Sequence, residues 1–202
     1  MKDVIETMMN EHRLIEQVLG ALDAFIGQLP AEVADDRRQV AQFARFFKNF
    51  ADRCHHGKEE ERLFVAMNQC GFPREYGPVG VMLAEHAEGR AHVGALAEIG
   101  KGSGPLSPDE KQRAIEHALA FVPLLKSHIQ KEDNILYPMA RQAIPPAQWT
   151  QLGAGCEAFD REVMGLDEIQ ELKDLATELI INFPPDMEKM AALAGCAGCR
   201  GH

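Results

Sequence analysis

No run of about 18 apolar residues occurs in the 202-residue chain, so no segment reads as a membrane span. The opening Met1-Lys2-Asp3-Val4-Ile5-Glu6 lacks the apolar centre of a secretory leader. The cysteines, Cys54, Cys70, Cys156, Cys196 and Cys199, are too irregularly spaced to form the disulfide framework of a secreted domain. The expectation is a cytoplasmic protein in a reducing compartment. Basic charge is also short: 21 Lys and Arg against 31 Asp and Glu leave a net charge of -10, which argues against a surface for nucleic acid or an anionic membrane. Strand-like alternation is scarce.

What is present is helical periodicity in a chain that is 46% hydrophobic and 26% charged, ordinary values for a globule with a real core. The first helix is read over Val4 to Gln28, with Ile5, His12, Leu19 and Ile26 in one seven-residue row and Met8, Ile15, Leu22 and Leu29 in another. A second runs from about Asp35 to Cys70, where Gly71-Phe72-Pro73 stops it. A third starts near Pro78, and Ser107-Pro108-Asp109-Glu110 reads as the capped start of a fourth, which Pro123 should bend. Two shorter helices follow Pro145-Pro146, at about 147–164 and 166–181. The expected architecture is all-α: an up-down-up-down four-helix bundle over residues 1–145, then a helical extension over 146–202 ending in a Cys-x-x-Cys tail.

One histidine falls on the apolar stripe of each long helix: His12, His56, His86 and His128. Two carry a glutamate four residues on, His56 with Glu60 and His128 with Glu132, a spacing that puts both side chains on one helix face. The two stretches echo each other, His56-x-x-x-Glu60-Glu61-x-Leu63-Phe64 against His128-x-x-x-Glu132-Asp133-x-Ile135-Leu136. Burying four imidazoles and two carboxylates is costly unless each is paired, and bound cations pair them most directly. One such histidine alone would more often be a satisfied core residue. The expectation is two ions about 3.5 to 4 Å apart, each held by two histidines and bridged by Glu60 and Glu132. An imidazole and carboxylate donor set suits iron first, with manganese or zinc as alternatives. Glu-x-x-His, which marks the other common helical di-metal plan, occurs nowhere in the chain.

With these residues in view, the order His, His-x-x-x-Glu, His, His-x-x-x-Glu resembles the hemerythrin-like family of HHE cation-binding domains. Asn10-Glu11-His12, His55-His56-Gly57-Lys58-Glu59-Glu60, Ala84-Glu85-His86 and His128-Ile129-Gln130-Lys131-Glu132-Asp133 are similar to its ligand-bearing stretches, over about residues 3–144. The resemblance implies His12, His56, His86 and His128 as terminal iron ligands and Glu60 and Glu132 as bridges. Oxygen carriers of the family place a histidine four residues after the third-helix one. Arg90 stands there in this chain, which puts reversible oxygen carriage in doubt.

Arg90 is read as a donor to a metal-bound anion or as a partner for Glu60, the two on equal footing. His55 is placed at the solvated surface, with a supporting role to a ligand as its alternative, and Glu59 is the candidate for an extra ligand. His92 and His117 are set aside as unable to share the centre, and the Cys196/Cys199 pair more as a frayed terminus than as a redox or zinc site. The resulting function is a non-haem di-iron protein that binds or senses a small diatomic or peroxide ligand. Two other readings stand beside it: an enzyme that decomposes peroxide or nitric oxide or donates iron for cluster repair, and an interaction module with a structural metal.

Overall fold

The computed structural model describes residues 3–31, 35–186 and 188–191. The Cys196/Cys199 pair lies outside the described residues. Four long rods form the bundle. The first is α1 (Val4–Gln28), started by Asp3, whose side chain accepts from the Glu6 amide. The second joins α2 (Asp36–Phe46), two π-helical stretches (Phe47–His56 and Glu59–Leu63) and α3 (Phe64–Gln69), and ends at Gly71 with φ 93°. The third is α4 (Gly77–Gly100). The fourth is α5 (Pro108–Lys131), opened by a Ser107/Glu110 capping box, then a π-helical stretch (Glu132–Leu136) and α6 (Tyr137–Ala143). Pro123 sits inside α5 without ending it.

The rods close a ring: α1 packs on α5, α5 on α4, α4 on α2, and the π-helical continuation of α2 on α1. The extension follows as α7 (Pro146–Phe159), a π-helical turn (Asp160–Met164) and α8 (Leu166–Asn182). Here α7 lies on α1 and on the Glu59–Leu63 stretch, while α8 lies on α1 and α2. Phe159, Leu172, Leu175 and Leu179 of the extension join the same apolar cluster as Leu22, Phe25 and Phe43 of the bundle. Among the described residues no strand forms.

Two apolar clusters are separated on every rod by polar residues. The larger contains Ile15, Cys54, Val93 and Leu125, and the smaller contains Met8, Leu63, Met82 and Leu136. Between these pairs lie His12, His55 to Glu59, His86, and His128 to Glu132. The core is therefore interrupted at mid-height by a polar layer to which all four rods contribute.

The π-helical turns explain where the helical register departs from expectation. Bonds from i to i+5 make each such turn take in an additional residue. After Glu132 the buried positions are Leu136, Tyr137 and Ala140. Ile135 is 51% exposed and Met139 36%, although an uninterrupted α-helix through His128 would have carried both inward.

Candidate metal centre

Five imidazoles and two carboxylates meet in the polar layer. His12 comes from α1, His55 and His56 from the first π-helical stretch, Glu59 from the second, His86 from α4, His128 from α5 and Glu132 from the turn that follows it. All seven are buried, Glu59 and Glu132 completely. They form two groups whose donor atoms lie within 4.8 Å of one another: His12, His55, Glu59 and Glu132 in one, and His56, Glu59, His86 and His128 in the other. Glu59 belongs to both. Glu132 Oε1 also reaches the second group, 3.2 Å from His128 Nε2 and 3.9 Å from His86 Nε2.

Two of the expected positions differ. Glu60, expected as a bridge, is in neither group: its side chain is partly exposed and accepts from His86 Nδ1 at 2.8 Å and from Arg90 at 2.6 Å. Glu59 takes the interior place. His55, expected at the surface, is 1% exposed with Nε2 aimed 3.7 Å from Glu59 Oε2. The cause is the widened helix. Leu63 and Met67 are buried as anticipated, but the π-helical stretches between His55 and Leu63 offset the ligand register from theirs by one residue. The echo between the second and fourth rods shifts with it. Both turns begin at the interior glutamate, so His55-x-x-x-Glu59-Glu60 matches His128-x-x-x-Glu132-Asp133, with Leu63 and Phe64 matching Leu136 and Tyr137. His12, His56, His86, His128 and Glu132 are brought together as the sequence reading supposed.

Each histidine has a carboxylate behind it. Nδ1 lies 2.7 Å from Asp133 in His12, 2.8 Å from Glu11 in His55, 3.4 Å from Asp52 in His56, 2.8 Å from Glu60 in His86 and 2.9 Å from Glu85 in His128. In a neutral ring the four contacts of 2.7 to 2.9 Å make Nδ1 the donor and leave the inward Nε2 as the acceptor, whereas His56 Nδ1 has no hydrogen-bond partner. Each carboxylate in turn meets a cation: Arg13 on Asp133, Lys58 on Glu11, Lys131 on Glu85, and Arg90 on both Asp52 and Glu60. Arg90 thus pairs with carboxylates, including the Glu60 expected for it.

The arrangement repeats about an approximate twofold relation. The residue before the histidine on α1 or α4, Glu11 or Glu85, holds the histidine of the π-helical rod beside it, His55 or His128. The residue after each interior glutamate, Glu60 or Asp133, holds the histidine of α4 or α1. His56 breaks the pattern, since Ile129 stands at its counterpart. It stacks on His86 at 3.8 Å between ring centroids. Tyr137 breaks it on the other side: its ring stacks on His12 and its hydroxyl donates to Glu59 Oε1 at 2.8 Å, where Phe64 has none to offer Glu132.

The charges of the layer balance only partly. Burial and the neighbouring Glu132 push Glu59 well above the usual carboxylate range. Burial would raise Glu132 too, but His128 and His12 outweigh it and hold that carboxyl well below its ordinary value. Burial would lower His12 and His128, yet Asp133 and Glu132 hold the first at about 9, and Glu132 and Glu85 hold the second at about 9. Burial and then the proximity of His12 bring His55 down to about 4. Glu59 Oε2, both Glu132 oxygens and His55 Nε2 remain buried with no hydrogen-bond partner. Acceptor atoms orphaned together at zero exposure, facing imidazole nitrogens, are what a cation would satisfy. The donor set fits one.

The hemerythrin HHE cation-binding domain model matches residues 3–140. The chain belongs to the hemerythrin HHE family. All seven layer residues fall within that match, and the family assignment agrees with the all-α bundle. Like this hemerythrin-family chain over 174 residues, uncharacterized proteins of Mycobacterium bovis and Mycobacterium tuberculosis are each 17% identical to it, the alignment covering 86% of this chain and 68% of theirs. No solved structure matches significantly. Among the described residues no helix is long and apolar enough to cross a membrane.

Proposed function

We propose that the polar layer holds two iron ions and that the protein binds or senses a small ligand there: dioxygen, nitric oxide or a peroxide. The observation that carries the reading is Glu59, shared by both donor groups with an orphaned oxygen at zero exposure. Glu59 and Glu132 would bridge, His12 and His55 would hold one ion, and His56, His86 and His128 the other. Iron there would supply open coordination positions and a change of oxidation state. The protein's part is to fix seven donors and, in His12, His55, His86 and His128, to keep Nε2 inward through the outer carboxylate. A purely structural metal is disfavoured by a cleft that runs from the surface to His56, His86 and His128.

Iron loading of the full chain, followed by metal analysis and visible absorption, tests this. Two ions per chain with charge-transfer absorption are expected. Glu59→Gln should lose at least one ion and the absorption. Glu60→Gln, which only loosens His86, should keep both with affinity weakened about 10-fold. Equal losses in the two variants, or full retention in Glu59→Gln, would refute the assignment.

A further inference from the structure

The cleft that reaches the layer is larger than a diatomic molecule needs. It encloses about 200 Å³ between the Phe47–His56 stretch, α4 and α5. Its walls are apolar: Phe47, Ala51, Val93, Phe121 and Leu125, with Gly89 and Gly94 leaving α4 bare on that side. Phe47 and Phe121 meet edge to face, centroids 5.0 Å apart at 79°. His56, His86 and His128 form the floor, and the charged lining residues are balanced, with Lys48, Arg90 and Lys101 against Asp52, Glu85 and Glu98. The His12 side has a different cover, the buried ring of Tyr137 stacked on it. The cleft therefore opens on the half of the layer that carries the additional histidine.

A dry cavity of roughly 150 Å³ lined by aliphatic and aromatic side chains accepts benzene. A slightly larger cavity with an aromatic wall fits one ring plus a head group. The floor is the cation pocket, so the head must offer it an oxygen atom, and bound cations there would favour a negative one. We propose that this cleft binds a single-ring aromatic carboxylate, with the ring against the wall made by Phe47 and Phe121 and the carboxylate towards His56, His86 and His128. The carboxylate's position rests on the two-cation reading above, whereas the ring's position does not.

Calorimetric titration of benzoate, acetate and toluene into the full chain, metal-free and anaerobically loaded with iron(II), tests the proposal. Loaded protein should bind benzoate at least tenfold more tightly than acetate, and toluene should bind both forms equally. Gly89→Leu and Gly94→Leu fill the cleft. A Cβ at Gly89 sits 3.4 Å from Phe121, and one at Gly94 meets nothing within 4 Å, so both leucines can enter from the α4 side. Each should weaken benzoate and toluene at least tenfold while metal content stays at the wild-type value. Benzoate no tighter than acetate, or indifferent to both leucines, overturns the proposal. Toluene binding that the leucines abolish in a protein unable to hold metal would support the ring site and overturn the metal reading instead. Two bound ions with no ring binding would do the reverse.

Discussion

Glu59 and Glu132 occupy matched positions with unmatched neighbours, and one part of the difference is a single hydroxyl. Tyr137 is fully buried and donates to Glu59 Oε1, while Glu132 receives no hydrogen bond on either oxygen. Tyr137→Phe keeps the ring against His12 and deletes only that donor. The metal-free variant should lose about 1 kcal/mol of stability, the net worth of one internal hydrogen bond, read by urea unfolding. An unchanged midpoint would mean that the hydroxyl contributes nothing to holding Glu59. At the same scale, Arg90 is legible only in part from sequence. Its place four residues after His86 puts it near the layer, but its bond to Asp52 depends on how the second rod turns towards α4, which spacing on one helix does not reveal.

At the scale of elements, rod boundaries were readable because caps, prolines and glycines mark them: Ser107 with Glu110, Pro78, Gly71. The π-helical turns have no such signal, and they decide which glutamate of the Glu59-Glu60 doublet faces inward. Extrapolating an α-helical stripe back from Leu63 and Met67 selects Glu60, which is why the layer was legible as a cluster while the inward place of Glu59 and the burial of His55 were not. The extension acts on the same stretch. A Cβ at Gly57 would lie 2.7 Å from the Phe159 ring, so only glycine lets α7 pack there. Asp160 meets Lys58 Nζ at 2.9 Å, Lys58 also pairs with Glu11, and Glu11 holds His55. Asp160→Asn should cost about 1 kcal/mol, towards the exposed end of ion-pair values because Asp160 is partly open. On the two-ion proposal it should also weaken the site holding His12 and His55 about 10-fold through the loosened His55, while the His56, His86 and His128 site keeps its affinity. Stepwise metal titration separates the two, and equal weakening of both sites would count against the relay.

For the whole molecule, stability depends on contacts that join distant parts of the chain. Arg37 on α2 donates to the carbonyls of Ile99 and Gly104 and forks onto Glu110 at 2.8 Å through both terminal nitrogens, closing the α4–α5 connection. That bond, with those from Ser107, holds Glu110 down at about 2 against an ordinary 4.5. A depressed carboxyl stabilises the fold fully above its ordinary value and loses that contribution as pH falls through the folded one. The melting temperature of Glu110→Gln should therefore trail wild type at pH 7, and the gap should close between about pH 4.5 and 2; a gap constant with pH would exclude the linkage. The extension is tied in more deeply still. The family match ends at residue 140, yet Phe159, Leu172, Leu175, Ala176, Leu179 and Phe183 are buried in one cluster with Leu22, Phe25 and Phe43. Each large apolar side chain in that set stabilises by about 1.5 to 3 kcal/mol relative to exposure, so their sum rivals the 5 to 15 kcal/mol that typically separates folded from unfolded protein. A chain truncated after Ala143 retains all seven layer residues but bares that face of α1 and α2. It should bind a hydrophobic dye, lose its cooperative melting transition and fail to hold iron. A soluble truncated bundle that melts cooperatively with two bound ions would show instead that the four rods suffice.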